Sequence, residues 1–355
     1  MSVVDQEANA GTAEVRAAHR FDEEALVAWM SENISGFSGS LKVEEFKGGQ
    51  SNPTYKLMTP DRNYVLRRKP PGPILKGAHS VEREARILKA LYSQDFPVAK
   101  VYGECADESV IGSPFYIMEM VEGRIFWDAR FPAASREERP ALFDAMNETI
   151  ASLHCIDYKK AGLEDFGKTG NYLERQIALW TRQYVQDEDA GRDPDMDFML
   201  EWFPRNIPEG DETTIVHGDF KCDNMIFHPT EPKVIAVLDW ELSTLGDPLV
   251  DFAYHAMMYD MPPEIIAGLQ GADVKALNIP SLREYIEAYC RRTGRKDIPN
   301  WNFYVAFNYF RLAAIFHGIK GRVIRGTAAS AHAKDRAASF PVCVALAKNA
   351  LEACG

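Results

Sequence analysis

The spacing of apolar residues divides the chain into a short strand-rich first part and a long helix-rich remainder. FDEEALVAWMSENI (21–34) repeats its apolar residues at helical intervals, and Asp22 stands where an N-cap is needed. LKVEEF (41–46) and TYKLMT (54–59) flank a Gly-Gly turn and predict a hairpin. NYVLRRK (63–69) predicts a further strand, stopped by the Pro-Pro-Gly-Pro of 70–73. VEREARILKALYSQ (81–94) is an amphipathic helix, and VAKVYGEC (98–105) and SPFYIMEMVEG (113–123) predict two more strands. A small antiparallel sheet with one helix packed on it is the expected result. From Glu122 onward helical spacing dominates, over 138–156, 171–189, 263–271, 281–293, 301–320 and 334–353. Two apolar strands interrupt it, MIF (225–227) and VIAVLDW (234–240), joined by the turn HPTEPK (228–233) and therefore expected to form a hairpin. The fold class is α+β, and a cleft is expected where a sheet-rich lobe meets a helical one.

Composition narrows the function classes. The chain has 355 residues, 46% of them hydrophobic, enough for one or two substantial cores. A formal net charge of −12 argues against non-specific nucleic-acid binding but leaves open metal ions and anions held by a local basic pocket. Cys105, Cys155, Cys222, Cys290, Cys343 and Cys354 are scattered without a CxxC pair, which fits a reducing cytoplasm rather than a zinc site or disulfide framework. Residues 1–20 lack an apolar stretch and predict a loose terminal arm. No apolar run reaches the roughly 20 residues that span a bilayer, so a soluble protein with no membrane partner is expected.

The chemistry concentrates in HGDFKCDN (217–224), wedged between the apolar runs TTIV and MIF. Carboxylates in such a setting are costly unless a cation, a hydrogen-bond network or catalytic work compensates them. Asp and Asn in turns are ordinary, but a second acid follows in LDW. The hairpin would bring Asn224 and Asp239 together at one end, a pair of oxygen donors suited to magnesium, which keeps few protein ligands beside phosphate oxygens and water. Asp219 is then placed to accept a proton from an attacking hydroxyl. Those three residues are minimal equipment for phosphoryl transfer, in which positioning and charge stabilisation dominate. Upstream, the turn in FKGGQSNPTYKL (46–57) can cover phosphates with backbone amides, though no GxxxxGK[ST] loop occurs. Arg67, Arg68 and Lys69 end a strand, and Glu84 lies in the following helix; a strand cation paired with a helical carboxylate can clamp the α and β phosphates. His217 is expected to hold the HGD loop by hydrogen bonds, His154 to be a satisfied core histidine, and Trp240 to wall the cleft.

HGDxxxxN and the later LDW together resemble the aminoglycoside phosphotransferase and choline kinase superfamily, over roughly residues 40–320. The resemblance implies a bilobal protein-kinase-like fold: an arm at 1–20, a nucleotide-binding N-lobe with a small antiparallel sheet and one helix at 21–120, and a larger helical C-lobe at 121–355. It implies ATP and magnesium (Mg2+) as cofactors, Asp219 as catalytic base, and Asn224 and Asp239 as metal ligands. Ser51 and Asn52 fall in the phosphate-covering loop and Glu84 at the ion-pair glutamate. Glu119 and Val121 fall at the hinge whose backbone meets adenine, and Asp247 and Asp251 of GDPLVD in a structural segment. One departure stands out: the strand lysine is replaced by Arg67, whose planar fork still binds phosphate, with Lys69 as the alternative. Only seven residues separate Asp239 from Asp247 and no APE-like segment follows, which leaves little room for a peptide-docking activation segment.

VLRRKPPGPILKGAHSVEREARILKAL, GRIFWD (123–128) and NYFRLAAIFHGIKGRV (308–323) resemble more narrowly the kinase-like domain fused to some animal acyl-CoA dehydrogenases. That implies a small-molecule partner with a free hydroxyl, a hydroxyacyl or hydroxyacyl-CoA compound. Aminoglycosides or choline-like amino alcohols are the alternative, and an inactive nucleotide-binding module the alternative of another class. Arg311, His317, Lys320, Arg322 and Arg325 form a basic late stretch that could receive coenzyme A phosphates, Arg311 and His317 being candidate substrate residues. The acidic run DEDAGRDPDMD (187–197) could instead serve an aminoglycoside; its Gly and Pro predict a surface loop.

Overall fold

The computed structural model describes residues 11–47, 52–70, 80–210, 212–266, 268–328 and 332–354. The chain divides into two compact units. The first comprises the chain up to Trp127, with Lys159–Leu163 and Cys222–Leu242; the second comprises Asp128–Tyr158, Glu164–Lys221 and Ser243–Gly355. The division is therefore not a single boundary near residue 120: the MIF/VIAV hairpin belongs with the first unit.

In the first unit six antiparallel strands run in the order β1–β2–β3–β4–β6–β5, with β1 Thr12–Ala13, β2 Lys42–Phe46, β3 Thr54–Met58, β4 Asn63–Arg68, β5 Val101–Cys105 and β6 Phe115–Glu119. The period of two in β3, β4 and β6 sends Tyr55, Leu57, Tyr64, Leu66, Phe115 and Ile117 into one core with Leu26 and Met30 of helix α1 (Glu23–Asn33). Full burial of such a side chain contributes about 1.5–3 kcal/mol. Asp22 caps α1, its carboxylate accepting from Ala25 N at 3.0 Å. Helix α2 (Val81–Tyr92) is capped by Ser80 and buries Glu84 among its apolar residues.

The same alternation separates three consecutive cations. Arg68 enters the α1 side, stacked over Phe21 and Tyr55 and donating to the carbonyls of Ile111 and His19. Arg67 points to the other face, and Lys69 reaches Glu82 at 2.7 Å. The expectation of a loose arm fails for residues 11–20. Thr12 and Ala13 pair with Phe46 and Glu45, and Arg16 and His19 both bind the Glu45 carboxylate. Burial works against that charge, yet the hydrogen bonds from Arg16 and His19 bring the Glu45 carboxyl down to about 2. A buried acid needs donors, and the arm supplies them; residues 1–10 lie outside the described ones. The strands Met225–Phe227 and Val234–Val237 pair antiparallel with Met225 opposite Val237, and Phe227 exchanges two backbone hydrogen bonds of 2.8 Å with Arg124.

The second unit is helical: α3 Arg139–Cys155, α4 Tyr172–Gln186, α5 Pro194–Arg205, α6 Pro248–Ala256, α7 Leu282–Thr293, α8 Trp301–Ile324, α9 Ala333–Ala338 and α10 Phe340–Glu352. Helix α8 is apolar on nearly every side and is buried accordingly. Thr214–Val216 pairs antiparallel with Thr244–Gly246. Three expectations change. The helix expected over 263–271 is only Pro263–Ile266, because Leu269 N and Gln270 N turn back to Met258 O and Met261 O. The helix expected over 334–353 breaks at Ser339, two residues before Pro341, whose missing N–H cannot continue a helix. The acidic run 187–197 is not a mobile loop: it forms a 3-10 turn and the start of α5, with Asp193 as its cap. Among the described residues no helix is long and apolar enough to cross a membrane.

Candidate active site

In the second unit the HGD turn is pinned by buried groups. Gly218 has φ +83°, a conformation that costs a residue with a Cβ, and glycine permits it. Asp251, one turn into α6, accepts from His217 N and Gly218 N, both at 2.8 Å, and from His154 Nε2 at 3.3 Å. Burial opposes the Asp251 charge, but His154 and these donors hold its carboxyl below the ordinary carboxylate range. Tyr289 OH completes the chain on His154 Nδ1 at 2.8 Å, so His154 is a satisfied core histidine. His217 Nδ1 accepts from Asp219 N at 3.1 Å. Arg311 Nη2 donates to Gly218 O at 2.8 Å. His255 Nδ1 reaches Phe220 O at 3.2 Å, while its Nε2 accepts from Tyr285 OH at 2.6 Å.

This frame presents the Asp219 carboxylate. Tyr254 OH donates to Oδ1 at 2.5 Å, and Lys221 Nζ lies 3.6 Å from Oδ2. The two oxygens are thus differentiated: one is held by a phenol hydroxyl, and the other faces a cation. Asp247 caps α6, accepting from Leu249 N at 2.7 Å, and burial pushes its carboxyl up to about 6.

In the first unit the hairpin brings Asn224 beside Asp239: Leu238 N donates to Asn224 O at 2.8 Å, one position past the last strand pair. Asp239 adopts φ +63°, a left-handed conformation that Asp tolerates better than most residues. Arg67 approaches Asp239 Oδ1 at 3.0 Å, Glu84 Oε2 at 2.8 Å and Glu241 Oε2 at 3.9 Å. The Arg67 Nε to Glu84 approach is an ion-pair contact that lies off the hydrogen-bonding direction. Glu84 is 2% exposed and also accepts from Asn52 Nδ2 at 2.8 Å and Tyr116 OH at 3.1 Å. Burial pushes the Glu84 carboxyl up to about 7 even with Arg67 beside it. Burial also works against the Arg67 charge, but Glu84 and the other acids hold it firmly protonated.

One guanidinium among three carboxylates leaves an excess of negative charge. A hard divalent cation would relieve it, and Asp239, Glu241 and Asn224 offer the oxygen donors such an ion prefers. Magnesium therefore fits this donor set. Among the described residues no cluster of three His, Cys, Asp or Glu forms a cage by itself. Asn52 Oδ1 is buried without a partner among the described residues, and the backbone of Val121, just past β6, has none there either. Glu119 N is taken by Lys100 O at 2.8 Å.

The remaining expected residues fall as follows. Ser51 lies outside the described residues. Lys69, the alternative to Arg67, binds Glu82 instead, so Arg67 is the cation that meets Glu84. Trp240 is not a wall: it is 3% exposed, donates to Val237 O at 2.9 Å and packs edge-on against Phe96. His317 is not available to a substrate. It is 1% exposed, pairs with Gly191 O at 2.7 Å and lies against Tyr184 and Phe340. The basic stretch meets the acidic run: Lys320 binds Ala190 O, and Arg325 binds Asp187 and Asp189. Asp195 pairs with Lys348 and Asp197 with Arg192. Lys320, Arg325, Asp187, Asp189, Asp195 and Asp197 are thus engaged within the chain, which leaves Arg311 as the expected substrate residue without an ion pair among the described residues. Sequence reading misses Glu241 and Tyr254. An acid two residues after Asp239 is the available signal for the first; nothing local marks the second.

Residues 42–301 match the model of the phosphotransferase enzyme family. The chain is 43% identical over 327 residues to mouse acyl-CoA dehydrogenase family member 10, and 43% identical over 325 residues to human acyl-CoA dehydrogenase family member 11. Those matches cover 91% and 90% of this chain but only 30% and 41% of the relatives, so the chain spans less than half their length. A crystal structure from Ralstonia eutropha, assigned to the aminoglycoside phosphotransferases, is 49% identical with a TM-score of 0.87, covering 94% of this chain and 99% of that one. Choline kinase from Cryptosporidium parvum shares the fold at 13% identity and a TM-score of 0.64, covering 93% of this chain and 97% of that one. With its kinase-like α+β fold and this breadth of match, the chain belongs to the phosphotransferase enzyme family.

Proposed function

We propose that the protein is an ATP- and magnesium-dependent small-molecule kinase that phosphorylates a substrate hydroxyl. The observation that carries this reading is the segment 217–224: its first half holds Asp219 in a rigid, differentiated setting, and its last residue stands beside Asp239. Asp219 would orient the acceptor hydroxyl and take its proton as that oxygen attacks the γ-phosphorus, the bond to the bridging oxygen breaking to release ADP. Asn224 and Asp239, with Glu241, would hold magnesium, which when bound supplies positive charge to the phosphate oxygens. Arg67, oriented by Glu84, would release Asp239 and turn its fork to the phosphates. Asn52, with Ser51, would border the phosphates, and the backbone of Glu119 and Val121 would meet the adenine. A solved aminoglycoside phosphotransferase of this fold binds AMP-PNP together with hygromycin B, which supports a nucleotide beside a small acceptor.

For the acceptor we favour a hydroxyacyl compound, free or as its coenzyme A thioester. The support is the 43% identity to proteins named as acyl-CoA dehydrogenase family members. An aminoglycoside is the second reading, favoured by the assignment of the Ralstonia structure. Against it stands the consumption of the 187–197 acids in ion pairs with Arg325, Arg192 and Lys348. The six cysteines are all free, which fits a reducing compartment such as the cytoplasm. The experiment is ADP formation with hydroxyacyl thioesters, hydroxy acids, aminoglycosides and choline. Acceptor-dependent turnover supports the kinase, and its acceptor selects between the readings. A protein that binds ATP yet transfers to none of these, with or without magnesium, would fail the proposal.

A further inference from the structure

Arg311 is a buried charge beside the HGD turn that phosphoryl transfer by itself does not require. It sits on α8 at 9% exposure, with its guanidinium 5.6 Å from the Trp180 ring centroid and 5.2 Å from that of Tyr254. Its hydrogen bond goes to a neutral carbonyl, Gly218 O. Nε is buried without a hydrogen-bond partner, and among the described residues no carboxylate forms an ion pair with Arg311. The acids around the turn are already committed. Asp251 is occupied by backbone N–H groups and His154, Asp247 caps α6, and Asp219 accepts from Tyr254. A guanidinium removed from water without a counter-charge is expensive, and two aromatic faces offset only part of that cost. The Arg325 and Arg295 guanidinia of the same unit both have carboxylate partners; Arg311 does not.

The residues beside Arg311 are not fully enclosed. Trp180, Tyr254, Asp219 and Lys221 are each only half-buried. Tyr254 links the two functions directly, with its ring against Arg311 and its hydroxyl on the Asp219 carboxylate. The distance from Arg311 to Asp219 is therefore about one aromatic side chain. Lys221 adds a second positive charge on the Asp219 side. Arg311 and Lys221 would favour an anionic group placed between them over a cationic one.

We propose that Arg311 is a specificity-determining residue that binds an oxyanion of the acceptor, so that the substrate class is an anionic hydroxy compound rather than an amino alcohol or amino sugar. This rests on the kinase reading for the identity of the acceptor but not for the binding itself. The oxyanion has two possible sources, a carboxylate of the acceptor or the phosphates of a coenzyme A carrier, and both present the planar or multidentate oxygens that a guanidinium fork recognises.

The test measures binding by calorimetry, with ADP and magnesium present, for 3-hydroxybutyrate and 3-hydroxyoctanoate, their coenzyme A thioesters and their neutral amides. Wild-type protein and Arg311→Met and Arg311→Lys variants are compared. The expected result is that the acids or the thioesters bind wild type at least ten-fold more tightly than the amides. Arg311→Met should abolish that preference, and Arg311→Lys should restore part of it. Preference for the free acid assigns the carboxylate, and preference for the thioester assigns the carrier phosphates. The proposal is overturned if no anionic probe outbinds its amide, or if Arg311→Met weakens acids, thioesters and amides in parallel, since a purely structural support of Gly218 would do that. Should Arg311→Met fail to fold by circular dichroism, the Arg311→Lys selectivity ratio decides. Anion-selective binding without phosphate transfer would sink the kinase reading alone and leave the subsite standing.

Discussion

Substituting Asp251 by asparagine probes how the HGD turn is held. The carboxylate accepts three hydrogen bonds through two oxygens, and an amide can present only one oxygen. Whichever way the new amide is oriented, its NH2 faces at least one of the His217 N, Gly218 N or His154 Nε2 donors. Losing one hydrogen bond to a charged acceptor costs about 1.5–3 kcal/mol, and the stranded buried donor about 1–3 kcal/mol more. The site is 3% exposed, so water cannot substitute freely. A total of about 3–5 kcal/mol corresponds to a fall in Tm of roughly 4–7 °C for a chain of this length, read by scanning calorimetry. A turn loosened by an ångström would also misplace Asp219 and slow transfer by about 100-fold. A Tm within about 2 °C of wild type together with unchanged turnover would refute the claim that Asp251 fixes the turn.

Other expectations follow from the same geometry. Arg67→Ala leaves Glu84, Asp239 and Glu241 without their cation, and ATP affinity by calorimetry should fall at least ten-fold; Arg67→Lys, which keeps the charge, should recover part of it. At Gly321 on α8 an added Cβ would collide with the Asp187 carboxylate, so Gly321→Ala should destabilise by about 1–3 kcal/mol in denaturant titrations and loosen the Arg325 pair. Burial lowers His255 from 6.5 to about 4. The unfolded chain therefore takes up a proton below pH 6.5 that the folded one refuses, and stability falls as pH drops from 6.5 to 4 by on the order of 3 kcal/mol. His255→Gln should flatten that acid limb in equilibrium unfolding; an unaltered slope would assign it to other groups.

Legibility differs by residue for physical reasons. HGDFKCDN and LDW announce themselves because their acids interrupt apolar runs at fixed spacing, and a hairpin of known turn length makes Asn224 and Asp239 neighbours. Strand alternation puts Arg67 and Arg68 on opposite faces, but only the packing of α2 shows which face holds Glu84. The acidic 187–197 run reads as a loop because charge and proline suggest solvent; its partners are Arg325 and Lys348, distant in sequence and invisible locally. The late basic stretch misleads for the same reason. Helix α5 begins at Asp193-Pro194, a capping pair that the sequence does display. Tyr254 lies on an ordinary apolar helix, and only the fold brings its hydroxyl to Asp219.

The role of Asp219 as base stands or falls on transfer of labelled γ-phosphate from ATP to a hydroxyl acceptor by wild type and by Asp219→Asn, with ATP binding measured on both. Wild type should transfer in a magnesium-dependent way, and the variant should lose at least about 1,000-fold while its ATP affinity stays within a few-fold of wild type. Transfer by Asp219→Asn at the wild-type rate would contradict that role.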